Sequence, residues 1–277
     1  MTLTLLPPPA NITIDIDMMI SRFMSLICMV IFLFVPSFGH AGDNLFPPAE
    51  YVQTKLKQND IVFLGTTYRK PKVLVFITAL LPSLTSLGVT HIGLEIPADQ
   101  QERIDAFMQT GNGLNNILLP KEIDTAKYRH LFEVLRTSGG PNPVAIDLPF
   151  TRKGGSVSND EWMAQSLIPL LPGKILVIVG NPHIFKKLEW KENARNTNLS
   201  VRQYIEREKP ETRMWSVGQV IDEDPDQCDF TQVFSQVPDA IALDLDEMVR
   251  GWKLGLTSKV AILPAESIDL VDGLIVY

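Results

Sequence analysis

The run Lys174-Ile-Leu-Val-Ile-Val-Gly-Asn-Pro-His183 restricts what this chain can fold into more than any other segment. An unbroken apolar, largely β-branched stretch that stops at Gly and Pro reads as a strand buried on both faces. Such strands belong to parallel sheets covered by helices on both sides. Ligands bind such sheets just beyond the carboxyl ends of the strands. His183, one of four histidines, follows that end by three positions.

The rest of the sequence agrees with a sheet of this kind. Asp60–Gly65, Thr90–Ile96, Pro143–Pro149, Lys174–Gly180, Arg213–Ile221, Asp239–Leu245 and Leu274–Tyr277 read as strands. Between them lie helical patterns at 73–87, with Pro82 as a kink, and at 98–110, stopped by Gly111. Another spans 124–136, with Asp124 as its cap and Tyr128, Leu131, Phe132 and Leu135 on the buried face. Two more cover 160–170 and 201–208, the latter capped by Ser200. Strands alternating with helices indicate an α/β fold with a mostly parallel central sheet flanked by helices. The acidic, Pro-containing stretch 222–238 reads as a surface loop, and 189–199 as an excursion from a single domain.

The amino-terminal segment has a different character. Met18-Met-Ile-Ser-Arg22 precedes a mostly apolar run from Phe23 to Phe38, followed by Gly39-His-Ala41 and a polar start at Gly42. A basic region, an apolar core and small residues make a secretory signal peptide. Residues 1–41 are therefore expected to be removed, with Met18 or Met19 as an alternative start, leaving 42–277 as one domain. The apolar run is shorter than the ~20 residues of a spanning helix, so the membrane is met only if cleavage fails. The expected location is periplasmic or extracellular. Cys28 would leave with the signal, so Cys228 cannot form an internal disulfide. A net charge of −7 without a basic block argues against nucleic acid as a partner.

Several polar residues stand at strand ends, where a parallel sheet brings distant positions together. They are Gly65, Thr66 and Tyr68 after the first strand, Glu95 in the second, Asp147 and then Arg152 after the third, and His183 after the fourth. Asp244 and Asp246 follow in the sixth. A carboxylate between Leu94 and Ile96 must be paired, hydrogen-bonded or metal-bound. His91 falls at the opposite edge and His130 on a polar helix face. No phosphate-binding glycine loop, dinucleotide fingerprint, His-Glu-x-x-His or serine elbow is present.

The order of five short pieces resembles a superfamily that groups ChaN-like haem-binding proteins, erythromycin esterases and TIKI/TraB proteins. The pieces are Ile61-Val-Phe-Leu-Gly-Thr-Thr-Tyr68, Gly93-Leu-Glu-Ile-Pro-Ala-Asp-Gln-Gln-Glu-Arg-Ile-Asp-Ala-Phe107, Val144-Ala-Ile-Asp-Leu-Pro149, Trp162-Met-Ala164 and Val177-Ile-Val-Gly-Asn-Pro-His183. The ChaN-like branch is the most similar. The resemblance implies a polar cluster at Gly65, Thr66, Tyr68, Glu95 and His183. Two departures stand out: Thr66 replaces a common Glu, and Tyr68 replaces the expected first His. A phenol with pKa near ~10 is a poor base at neutral pH, whereas tyrosine is an axial ligand type for haem.

The leading expectation is an exported ChaN-like protein that binds a small molecule, haem or a metal at the carboxyl edge of its sheet. Tyr68 and His183 would be ligands, with Glu95, Asp147 and Arg152 lining the site. The rival is a hydrolase of the erythromycin-esterase or TIKI type. In it, Glu95 and His183 act as acid and base, or Glu95, Asp147 and His183 hold zinc or manganese. A third reading is a scaffold that binds only another protein.

Overall fold

The computed structural model describes residues 45–67, 70–152, 157–188, 199–221, 228–234, 237, 239–254 and 266–277. Residues 1–44, which include the expected signal segment, and Tyr68 lie outside the described residues, as does nearly all of 189–199. In chain order the elements are β1 (Leu45–Phe46), α1 (Pro48–Gln58), β2 (Ile61–Thr66), α2 (Pro71–Leu84), β3 (Val89–Pro97) and α3 (Gln101–Thr110). Then come α4 (Ala126–Thr137), β4 (Asn142–Asp147), α5 (Asn159–Leu167), β5 (Lys174–Gly180), α6 (Val201–Glu208) and β6 (Met214–Val220). The last are α7 (Asp229–Phe234), β7 (Ile241–Asp244), α8 (Ser267–Leu270) and β8 (Gly273–Val276).

The strands form one sheet in the order β1-β7-β8-β6-β2-β5-β3-β4. All pairings from β8 to β4 are parallel, and only β7 with β8 and β1 with β7 are antiparallel. The alternation expected of doubly covered strands is visible in single residues. Leu176 and Ile178 of β5 join one core, while Ile175, Val177 and Val179 join the other. Val62 and Leu64 of β2 part from Ile61 and Phe63 in the same way. Each such side chain taken fully out of water contributes about 1.5–3 kcal/mol.

Helices α1 to α4 bury their apolar faces in the first core, and α5 to α8 in the second. Chirality explains the division. The chain steps from β2 to β3 to β4 in one direction, then returns to β5 and onward to β6 in the other. Right-handed crossovers in opposite directions place their helices on opposite faces. The connection leaving β2 therefore passes to one face and the one leaving β5 to the other. The connections part between these carboxyl ends, which is where sheets of this kind bind ligands.

Four sequence readings change. Thr125 caps α4, its hydroxyl accepting the Tyr128 N–H, while Asp124 pairs with Arg129 instead. Part of the 222–238 stretch is helical, because α7 buries Phe230 against Trp252. Helix α1 was not anticipated; its charged residues hide an apolar stripe of Tyr51, Val52 and Leu56. Finally, β7 runs antiparallel, so Asp244 lies at the start of β8 rather than at the carboxyl edge. There it accepts a hydrogen bond from Tyr51 Oη at 2.7 Å and pairs with Lys55 at 2.8 Å. The Lys55 ammonium lies 4.0 Å from the Trp215 ring centre, and this cluster docks α1 onto the sheet.

Candidate active site at the carboxyl edge

Strand alternation aims Glu95: Ile92, Leu94 and Ile96 point into the first core, while Gly93 faces Leu167 and Ile146 of the second, and Glu95 shares the side of Gly93. The β3–β4 register slips between Leu94 and Pro97, the interval that holds Glu95. Glu95 Oε2 accepts the Gly180 N–H at 2.7 Å, which ties β3 to the end of β5. Its Oε1 lies 3.5 Å from His183 Nε2.

His183 sits in a single 3-10 turn, Asn181–Ile184, that begins where β5 stops. Gly65 makes room for that turn. A Cβ there would overlap Asn181 Oδ1 and lie 2.6 Å from Ile184 Cδ1. Gln219 secures the turn from the other side: its Nε2 donates to Gly65 O at 2.6 Å, and its N–H to Asn181 Oδ1 at 3.3 Å. Tyr277 Oη donates to Gln219 Oε1.

The second nitrogen of the imidazole meets a residue that sequence reading passed over. His183 Nδ1 is 2.9 Å from Asp160 Oδ1. Asp160 stands in the first turn of α5, just after the Ser158 cap that accepts the Glu161 N–H. An acid there usually only complements the helix dipole, so its sequence position gave no sign of the histidine. Its burial is the sign, and burial shows only in the structure.

His183 is thus held between two carboxylates, and its side chain and that of Glu95 are each 22% exposed. Burial works against the charged ring, but Glu95 and Asp160 outweigh it and hold its pKa well above the usual histidine range. Both neighbours thus favour the form in which each ring nitrogen carries hydrogen. Burial first, and then Glu95, push the Asp147 carboxyl up, although the Leu148 N–H at 2.7 Å favours its anion. Burial and Glu95 likewise raise the Tyr128 phenol.

The structure therefore brings Glu95, His183 and Asp147 to one edge. Thr66 is buried at the same edge, but strand alternation turns it toward the α1–α4 face, and its hydroxyl meets no partner among the described residues. Gly65 serves the backbone turn. Arg152 is exposed, its guanidinium 5.1 Å from the Trp162 ring centre. Asp246 is exposed, His91 bonds the Thr90 hydroxyl, and His130 faces solvent beside Glu133. Among the described residues, no group of three or more His, Cys, Asp or Glu is arranged to hold a metal ion. No described helix is long and apolar enough to cross a membrane.

No family model and no curated protein matches the chain. Solved structures do. A succinoglycan biosynthesis protein superimposes with a TM-score of 0.65 at 12% identity, covering 82% of this chain and 89% of that one. A mutant erythromycin esterase in its open conformation gives 0.57 at 11% identity, covering 82% and 92%. ChaN of Campylobacter jejuni, described with cofacially bound haem, gives 0.50 at 15% identity, covering 63% and 87%. With these likenesses added to the sheet order, the chain has a ChaN-like and erythromycin-esterase-like fold.

Proposed function

We propose that this chain is an exported acid–base hydrolase that binds a small molecule at the carboxyl edge of its sheet. The observation that carries the reading is His183 lying between Asp160 and Glu95. Asp160 fixes the ring and favours its proton. The imidazolium then presents Nε2–H at the carboxyl edge as a general acid, and Glu95 is the adjacent base. In hydrolysis Glu95 takes a proton from the attacking water while His183 gives one to the departing oxygen or nitrogen. The fold shared with an erythromycin esterase supports this chemistry, and the Met18–Ala41 segment supports export.

The haem and metal alternatives fit His183 less well. Ligation needs a lone pair on an imidazole nitrogen, so a metal or haem iron would have to displace the proton that Glu95 and Asp160 favour.

The test is an ester and amide screen with purified protein, repeated with His183→Ala and Glu95→Gln. Both variants should lose roughly 100-fold or more, the scale of positioned acid–base groups. Turnover that survives His183→Ala overturns the proposal. So does a haem absorption band that depends on His183.

A further inference from the structure

The connection between β4 and α5 supplies more than Asp160. The Arg152 N–H donates to Pro149 O at 3.0 Å, closing the turn Phe150–Arg152. That turn lays the guanidinium over Trp162 at 5.1 Å from the ring centre. Trp162 is in α5, two residues past Asp160, so the helix that orients His183 also carries the platform for Arg152.

Several of the described arginines are committed to carboxylates. Arg129 pairs with Asp124, Arg202 with Asp272, Arg213 with Asp60, and Arg250 with Glu247. Arg152 makes no ion pair among the described residues, although Glu95, Asp147 and Asp160 all belong to the same edge. Those acids are occupied by Gly180 and His183, by Leu148, and by His183. Contact with an aromatic face restrains the arginine stem and leaves the N–H donors able to bond a ligand. A planar guanidinium in that state matches the paired oxygens of a carboxylate or phosphate.

We infer that Arg152, steadied on Trp162, receives an oxyanion of the substrate and so sets its class: an anionic ester or amide whose scissile group points toward His183. This rests on the hydrolase reading above. Arg152 is a specificity residue here, and it takes no part in proton transfer. The three acids near the reacting group make such an anchor useful. A second cation beside the His183 imidazolium lessens the repulsion that these acids exert on an anionic molecule.

The test uses the whole protein with two matched esters, 4-nitrophenyl hemisuccinate and the uncharged 4-nitrophenyl butyrate. Wild type should prefer the hemisuccinate. Arg152→Ala should lower kcat/KM for it by about 10- to 100-fold, the range of a hydrogen bond to a charged group, chiefly through KM. The butyrate should lose less than the hemisuccinate, so that the preference between the two esters collapses, and Arg152→Lys should recover part of it. Equal treatment of both esters by wild type, or equal losses for both in Arg152→Ala, overturns the inference. A second arm measures the rise in melting temperature given by succinate or inorganic phosphate in His183→Ala, with and without Arg152→Ala. An Arg152-dependent rise supports the anion site even if no ester is hydrolysed, and the two anions show which oxyanion is preferred. Hydrolysis that needs His183 with no Arg152-dependent effect in either arm leaves the hydrolase and removes the anion site.

Discussion

Asp160 Oδ1 and His183 Nδ1 stand 2.9 Å apart, joining the start of α5 to the turn after β5 across the second core. This contact holds the His183 ring in one orientation rather than leaving it free to rotate.

Asp160→Asn keeps the shape but removes the charge. The expected result is a loss of about 10- to 100-fold in kcat/KM, corresponding to roughly 1.5–3 kcal/mol for a charge-assisted hydrogen bond. Steady-state kinetics on any ester the protein turns over measures it. A loss below about twofold would reduce Asp160 to a structural role.

The pH–rate profile should carry its alkaline limb above the usual histidine value of ~6.5, because His183 must keep its proton and its neighbours raise its pKa. In Asp160→Asn that limb should move to lower pH. A limb that does not move would disconnect His183 from the rate.

Stability should follow the same proton. A raised pKa means that the folded state binds the proton more tightly than the unfolded chain. The stabilisation from His183 is complete below ~6.5 and is lost as pH rises through the higher folded value. Urea midpoints for wild type and His183→Ala should therefore converge as pH rises through that window. Asp147 contributes in the same direction, since its pKa is also raised, so Asp147→Asn should stabilise the protein at pH 7 relative to pH 3.

Two glycine substitutions separate site from scaffold. Gly65→Ala pushes a methyl into Asn181 and Ile184, and should cost about 1–3 kcal/mol while displacing His183. Gly273→Ala meets the Tyr51 hydroxyl that Asp244 and Trp215 hold in place. It should destabilise by a similar ~1–3 kcal/mol but leave kcat of the folded fraction unchanged. Chemical denaturation paired with active-site-normalised rates distinguishes them.

Much of this was legible in the residues. The β5 boundaries, the helix stop at Gly111 and the Ser200 cap were all read in the sequence, because apolar runs and capping residues act locally. Glu95 and His183 were legible too, since a polar group at the end of a buried strand needs an explanation. Asp160 and α1 were not, for one reason: an acid in a first helical turn and a charged helix look solvated until a partner across the fold buries them. The direction of β7 is likewise a tertiary choice, and it carried Asp244 away from the edge where its place in the sequence had put it.

The position of β5 has a consequence for how the protein reaches its working form. This strand lies between β2 and β3, both of which precede it in the chain. Glu95 is 85 residues from its Gly180 donor, and Asp160 is 23 residues from His183. Until β5 slots between its older neighbours, base, acid and orienting carboxylate are strangers to one another. Non-local pairings of this kind form slowly. Recovery of turnover after dilution from denaturant would then time the closing of the sheet's centre, with the chemistry itself serving as the clock.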